Sequence, residues 1–173
     1  MTPDQALLIL NSVGLPSLHA EYPTTKKVIA AIPADKADYR PDSISRSALD
    51  LAWHIVTAEN RFLEAVLSGA FDLTPRPRPD TVLSPADVNS WYEERFATSI
   101  ARLKGLSGDQ LLKTIDFRGV FRLPAVSFIQ IALNHSIHHR GQLTMYLRPL
   151  DAKVPSIYGE SYDARMAREA LRT

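Results

Sequence analysis

Residues 124–150 read PAVSFIQIALNHSIHHRGQLTMYLRPL, and this stretch decides the fold. At about 100° per residue, Phe128, Ile131, Ala132, His135, His139, Gln142, Leu143, Tyr146 and Leu150 fall on one face of a helix that starts near Pro124 and is stopped by Pro149. A helix with one such face needs partners, and the sequence on its N-terminal side supplies them. Ile44, Ala48, Leu51, Ile55, Ala58, Phe62, Ala65 and Val66 share a face in a helix predicted over Ser45 to Leu67. Ser84-Pro85-Ala86-Asp87 opens another, running to about Leu103. The serine can cap it, proline suits the first helical position, and the acid meets the positive end of the helix dipole. Leu15, Leu18, Tyr22, Val28, Ile29 and Ile32 form a broken stripe over Leu15 to Ile32, where Pro23 predicts a kink, and a shorter helix over Thr2 to Val13 precedes it.

The remaining segments read as connections. Prolines cluster in Tyr39-Arg40-Pro41, in Thr74 to Pro79 and between Leu147 and Pro155; the alternating Pro/Arg stretch is expected to cross the end of a bundle. Lys113 to Leu123 has a β-like mix around a turn at Arg118-Gly119 and is expected to be a loop or short extended connection. A last helix, about residues 162–171, carries mixed charges and is expected on the outside. Long one-faced helices joined by long segments describe an all-α fold, a four-helix bundle with a long crossover, as a single domain over residues 1–173.

Composition narrows the chemistry. The 173 residues are 45% apolar and 23% charged, ordinary globular usage. A net charge of +1 supplies no drive toward nucleic acid or anionic lipid, so neither is expected as a partner. No basic start followed by an apolar run is visible, and no stretch reaches the roughly 20 apolar residues of a membrane span, so a cytoplasmic location is expected. The absence of cysteine removes disulfides, thiolate metal sites and cysteine nucleophiles, leaving histidines and carboxylates.

Three of the five histidines, His135, His138 and His139, lie in the decisive helix. Residues four apart stand one above the other, about 6 Å between β carbons, so His135 and His139 can bind one ion; His138 falls at the rim. His54, beside the apolar stripe and next to the small Ala58, is the candidate third ligand. Three imidazoles from two helices leave coordination positions free for water or substrate, as in catalytic rather than structural sites. The ligands do not choose among zinc, nickel, iron and copper; zinc or nickel heads the expectation, with iron or manganese behind. Ser136 follows His135 where a zincin protease needs glutamate, which disfavours that class. Glu59, Glu64, Glu93 and Glu94 read as a solvated face, Arg140 and Arg148 as surface arginines, and Trp53, Trp91 and Tyr92 as packing or interface residues. Gln142 keeps two roles open: bonding a metal-held water or satisfying a buried backbone group.

Asn134-His135-Ser136-Ile137-His138-His139-Arg140-Gly141-Gln142-Leu143, followed by Tyr146-Leu147-Arg148, resembles the signature of the DinB-like metal-binding four-helix bundles. Tyr39-Arg40-Pro41 with Ser45-Arg46-Ser47 and Leu51-Ala52-Trp53-His54-Ile55 resembles the family's second-helix motif, and Phe121-Arg122-Leu123-Pro124 its entry to the last bundle helix. The likeness extends over most of the chain between Tyr22 and Glu160. It implies a metal held by His54, His135 and His139. It also implies relatives that are S-transferases or isomerases using bacillithiol, mycothiol or glutathione, in which the metal lowers the thiol's pKa.

Two functions follow as expectations. One is a metal-dependent transferase or hydrolase acting on a small-molecule substrate through an activated thiol or water. The other is a non-catalytic metal-binding stress-response or small-molecule-binding module, favoured by the lack of an evident general base beside the ligands. A homodimer is expected for either.

Overall fold

The computed structural model describes residues 1–172. Helix α1, Pro3–Ile9, is capped by a reciprocal Thr2–Gln5 box and continues through one wide π turn, Leu10–Gly14, into α2, Leu15–Ala30. The helix runs on across Pro23, and a π-helical irregularity lies upstream at Leu10–Gly14. Helix α3, Ala48–Ser68, starts later than its apolar pattern suggests. The Asp42 carboxylate accepts from the backbone N–H groups of Ile44 and Ser45 and from the Ser45 hydroxyl, which holds this segment as a turn. Ser47 then caps the helix, and Ile44, placed on the inward face by its spacing, is 95% exposed. Gly69 ends α3 at φ 75°, a left-handed cap that costs a glycine nothing.

Helix α4, Pro85–Leu103, begins as its sequence dictates, with Ser84 and Asp87 capping each other and Pro85 in the first turn. After the short α5, Gly108–Leu112, residues 113–123 are more ordered than a loop: β1, Thr114–Phe117, pairs antiparallel with β2, Phe121–Pro124. Arg118 and Gly119, both at positive φ, make the turn, closed by Val120 N–H donating to the Phe117 carbonyl. Helix α6, Ser127–Leu147, follows, and α7, Tyr162–Ala170, lies outside with no buried residue.

Side-chain pairings give the helix directions. His54 meets His135 and His139, and Phe62 meets Phe128, so α3 and α6 run antiparallel. Trp53 meets Trp91 and Asn60 meets Ser99, so α3 and α4 run parallel. Parallel neighbours require their connection to return the full length of the first helix, about 30 Å for the 21 residues of α3. The Pro/Arg segment does this along the flank of α3, not across the end of the bundle as its composition suggests. Arg76 bonds Glu64 near the C-terminal end of α3, and Arg78 bonds Asp50 near its start. This is the long crossover.

Helix α3 is the central element, buried from Ala48 to Val66 on several sides. On α6 the buried residues are Phe128, Ile129, Ala132, Leu133, Ser136, Arg140, Leu143 and Leu147. The dry stripe is thus rotated away from the predicted one. Ile131, His135, His139 and Tyr146 are half-buried and Gln142 is exposed, which puts the histidines at the edge of the core rather than inside it. No helix among the described residues is long and apolar enough to cross a membrane.

Candidate metal centre

Antiparallel packing sets His54 of α3 between His135 and His139, which are one turn apart on α6. The three rings meet edge to face, with centroids 5.0, 4.6 and 4.4 Å apart for the pairs 54–135, 54–139 and 135–139. The Nε2 atoms of His54 and His139 are 3.3 Å apart, and the three donor nitrogens all lie within 4.8 Å of one another. Two nitrogens on one tetrahedral zinc-sized ion, each at about 2.0–2.1 Å, are separated by about 3.3 to 3.4 Å. The 54–139 pair already has that spacing, and drawing in the third nitrogen takes a side-chain movement on the order of 1 Å.

The ligand set also has the protonation such an ion needs. Burial, with Arg46 and the neighbouring imidazoles adding, lowers His54 to about 3. Burial and the adjacent His139 and His138 lower His135 to about 4. His139 is lowered by burial, partly offset by its bond to Gln142. All three are therefore neutral near pH 7, the ligating form. Gln142, exposed, satisfies no buried backbone group among the described residues: its Oε1 lies 2.7 Å from His139 Nδ1, and its Nε2 lies 3.2 Å from Nε2 of the exposed His138. With Nδ1 donating to Oε1, His139 keeps the Nε2 lone pair pointed at His54, the orienting contact common to ligating histidines. His135 Nδ1 is buried and has no hydrogen-bond partner among the described residues. The fifth histidine, His19, lies apart, edge-on to Phe96.

Three clefts border the cluster. One, about 720 Å³, is bordered by His139, Gln142, Ile44 and Met145; a second, about 500 Å³, by His54, His135 and a wall of phenylalanines; a third, about 350 Å³, by His54, Asp50 and Arg78. Arg46 borders all three.

Glu59 and Arg140 fare differently from expectation, while the other glutamates, Arg148, Trp53, Trp91 and Tyr92 lie as expected. Glu59 is not on a solvated face: it is 2% exposed and accepts from Tyr92 Oη at 2.6 Å and from Ser136 Oγ at 2.8 Å. Burial raises its pKa despite these donors and the nearby Arg140. Arg140 is 1% exposed and pairs with Glu21 while donating to Thr25 and Tyr158. Arg148 pairs with Asp163 at 2.8 Å. Glu64 bonds Arg76, while Glu93 pairs with Lys26 on the surface and Glu94 is exposed. Trp53 and Tyr92 are spent inside the core, with Trp91 packed on Trp53. The cleft arginines Arg46 and Arg61 were not foreseen; both fall within a turn or two of His54, the one signal that could have flagged them.

The model of the DinB family matches residues 14–170. The chain belongs to the DinB family. Among DinB-like relatives, the uncharacterized protein YjoA of Bacillus subtilis is 27% identical over 128 residues, covering 73% of this chain and 81% of the relative. The uncharacterized YrdA of the same organism is 26% identical over 149 residues, covering 84% and 86%. A crystal structure of a DinB-like protein from Bacillus cereus superposes with a TM-score of 0.71 at 25% identity, covering 84% of this chain and 95% of that one. That of B. subtilis YjoA gives 0.68 at 23% identity, covering 83% and 96%. The fold is thus shared with both crystal structures.

Proposed function

We propose that this DinB protein is a metal-dependent enzyme whose ion is held by His54, His135 and His139, and that it transfers a thiol, or water, to a small electrophile. The observation that carries this reading is the 3.3 Å approach of two Nε2 atoms from separate helices, with a third imidazole in reach. An N–H of one neutral imidazole can donate to the lone pair of the other at this distance, but a pairwise hydrogen bond leaves the third imidazole within 4.8 Å unexplained, whereas a shared cation accounts for all three. A divalent transition metal there supplies the positive charge that lets a thiol or water act as an anionic nucleophile at neutral pH.

The chain's own residues supply the rest. Gln142 holds the His139 ring in its ligating orientation. Arg46 borders every cleft at the cluster and attracts an anion there. The phenylalanine wall makes the side of His54 and His135 apolar. Separate clefts converging on one centre leave room for two partners, a low-molecular-weight thiol and its acceptor. No carboxylate is bonded to the three imidazoles among the described residues, which fits an ion rather than a protein base as the source of activation.

Metal analysis of protein purified without chelator tests the site: about one zinc or nickel per chain is expected, and near none in His135→Ala. A screen of bacillithiol, mycothiol and glutathione against common electrophiles tests the activity. Metal without turnover would leave a non-catalytic binding module, and full turnover without metal would remove the proposal.

A further inference from the structure

The cleft beside His54 and His135 has a lining that the metal proposal does not use. Its charged residues are Arg46, Arg61, Arg76 and Arg118, with no aspartate or glutamate among them, in a chain whose net charge is only +1. Arg76 is already engaged by Glu64 and Asp72, at 2.7 and 2.9 Å. Arg61 donates from Nη2 to the Thr74 carbonyl, but its Nε is buried with no hydrogen-bond partner among the described residues. Burial lowers the Arg61 guanidinium from its usual value, and the nearby Arg76 and Arg118 add to this. Arg46 makes no hydrogen bond or ion pair among the described residues. A desolvated donor left unpaired is costly, and a planar guanidinium is best satisfied by a carboxylate.

The opposite wall is aromatic. Phe62 and Phe71 stand at 5.5 Å, Phe71 and Phe117 at 4.7 Å, and Phe121 extends the row to the cleft mouth, where it remains 43% exposed. The hairpin carries Phe117 and Phe121 into this position, which is why residues 113–123 are paired strands and not a slack connection.

We infer that this cleft binds a small carboxylic acid with an aromatic or bulky apolar body, its carboxylate held by Arg61 and Arg46 and its body against Phe71, Phe117 and Phe121. The inference rests on the proposed function in one respect: it places such an acid beside His54 and His135, where the small-molecule substrate of that reading lies. A cavity of about 500 Å³ is of the size that encloses a small organic molecule.

Binding of 3-phenylpropionate, followed by calorimetry and by NMR, tests this in chelator-treated and in zinc-loaded protein. In chelator-treated protein the acid should bind at least tenfold more tightly than 3-phenylpropanamide, because only the acid pairs with the guanidinium groups. Arg61→Gln and Arg46→Gln should each weaken the acid at least fivefold and leave the amide unchanged; Arg46 is exposed, so its variant keeps the fold even if Arg61→Gln does not. Equal binding of acid and amide, or an Arg46→Gln variant that binds the acid as the parent does, would overturn the inference. So would inorganic phosphate competing as strongly as the acid, since the apolar wall would then contribute nothing. Failure of the metal site registers separately, as loss of ion from the untreated protein, because the anion measurement in chelator-treated protein does not depend on it.

Discussion

Helix α6 carries polar groups on two faces, and the contrast between them separates structure from chemistry. On the buried face, Ser136 and Arg140 are fully answered: Ser136 donates to Glu59, and Arg140 meets Glu21, Thr25 and Tyr158. On the neighbouring, half-exposed face, His135 and His139 turn nitrogen atoms toward another imidazole, and His135 keeps a buried nitrogen without a partner. A closed network of donors and acceptors holds a core together, whereas three imidazoles gathered at one point with a buried nitrogen left unpaired mark a candidate place for a ligand. The buried cluster also clasps the chain after α6 to the bundle, since Tyr158 bonds both Glu21 and Arg140.

The sharpest way to break this comparison is to exchange the consequences of the two faces. Arg140→Met should cost about 1–3 kcal/mol in a denaturant titration, because it removes the buried donor to Thr25 and Tyr158 and the cation of half-buried Glu21, while metal content stays near one per chain. His135→Ala should do the reverse, removing the ion while retaining a cooperative transition at smaller cost. If Arg140→Met lost the metal and kept its stability, the assignment of the two faces would be wrong.

A smaller effect belongs to Gln142. Gln142→Ala should weaken metal binding about 10- to 100-fold, the usual loss when an orienting contact to a ligating histidine is removed, and chelator competition reads it directly. Stability in denaturant should hardly move, since Gln142 is exposed.

The smallest effect is a slope. Burial raises the pKa of Glu59 above its ordinary value of 4.5, so the folded protein holds this proton more tightly than the unfolded chain. The stability that the protonated group contributes is complete below the unfolded value and is lost as pH rises through the folded one. Glu59→Gln removes this dependence. The difference in unfolding free energy between variant and parent should therefore shift in favour of the variant as pH is raised from 4 to 8, measured by urea titration at each pH. A constant difference would mean that Tyr92 and Ser136 offset the burial, so that the carboxylate titrates alike in the folded and unfolded chain.

The reading of the sequence succeeded where the governing interactions are local. The Ser84-Pro85-Asp87 start of α4 lies within one turn, and the His135–His139 spacing follows from helix geometry alone. It misplaced the inward face of α6 because apolar residues occupy both candidate stripes there: Phe128, Ile131 and Ala132 on one, Ile129 and Leu133 on the other. Which stripe is dry depends on where α2 and α3 pack. Arg140 was read as a surface residue because its partners, Glu21 and Thr25, are more than a hundred positions away, and nothing near it in the chain announces them. Glu59 was misread for a similar reason, its partners Tyr92 and Ser136 lying 33 and 77 positions away. The direction of the Pro/Arg segment was hidden too, since its composition marks a connection without saying where the next helix starts.

Sequence by itself thus determined that four helices with apolar faces must pack together and that two imidazoles share one helical face, because both follow from a 3.6-residue period acting over a few turns. Only the tertiary structure decided that α3 and α4 run parallel, that His54 arrives between His135 and His139, and that arginines and phenylalanines from four segments surround one cleft. These depend on contacts between residues far apart in the chain, and such contacts are set by how the whole core closes, not by any local pattern.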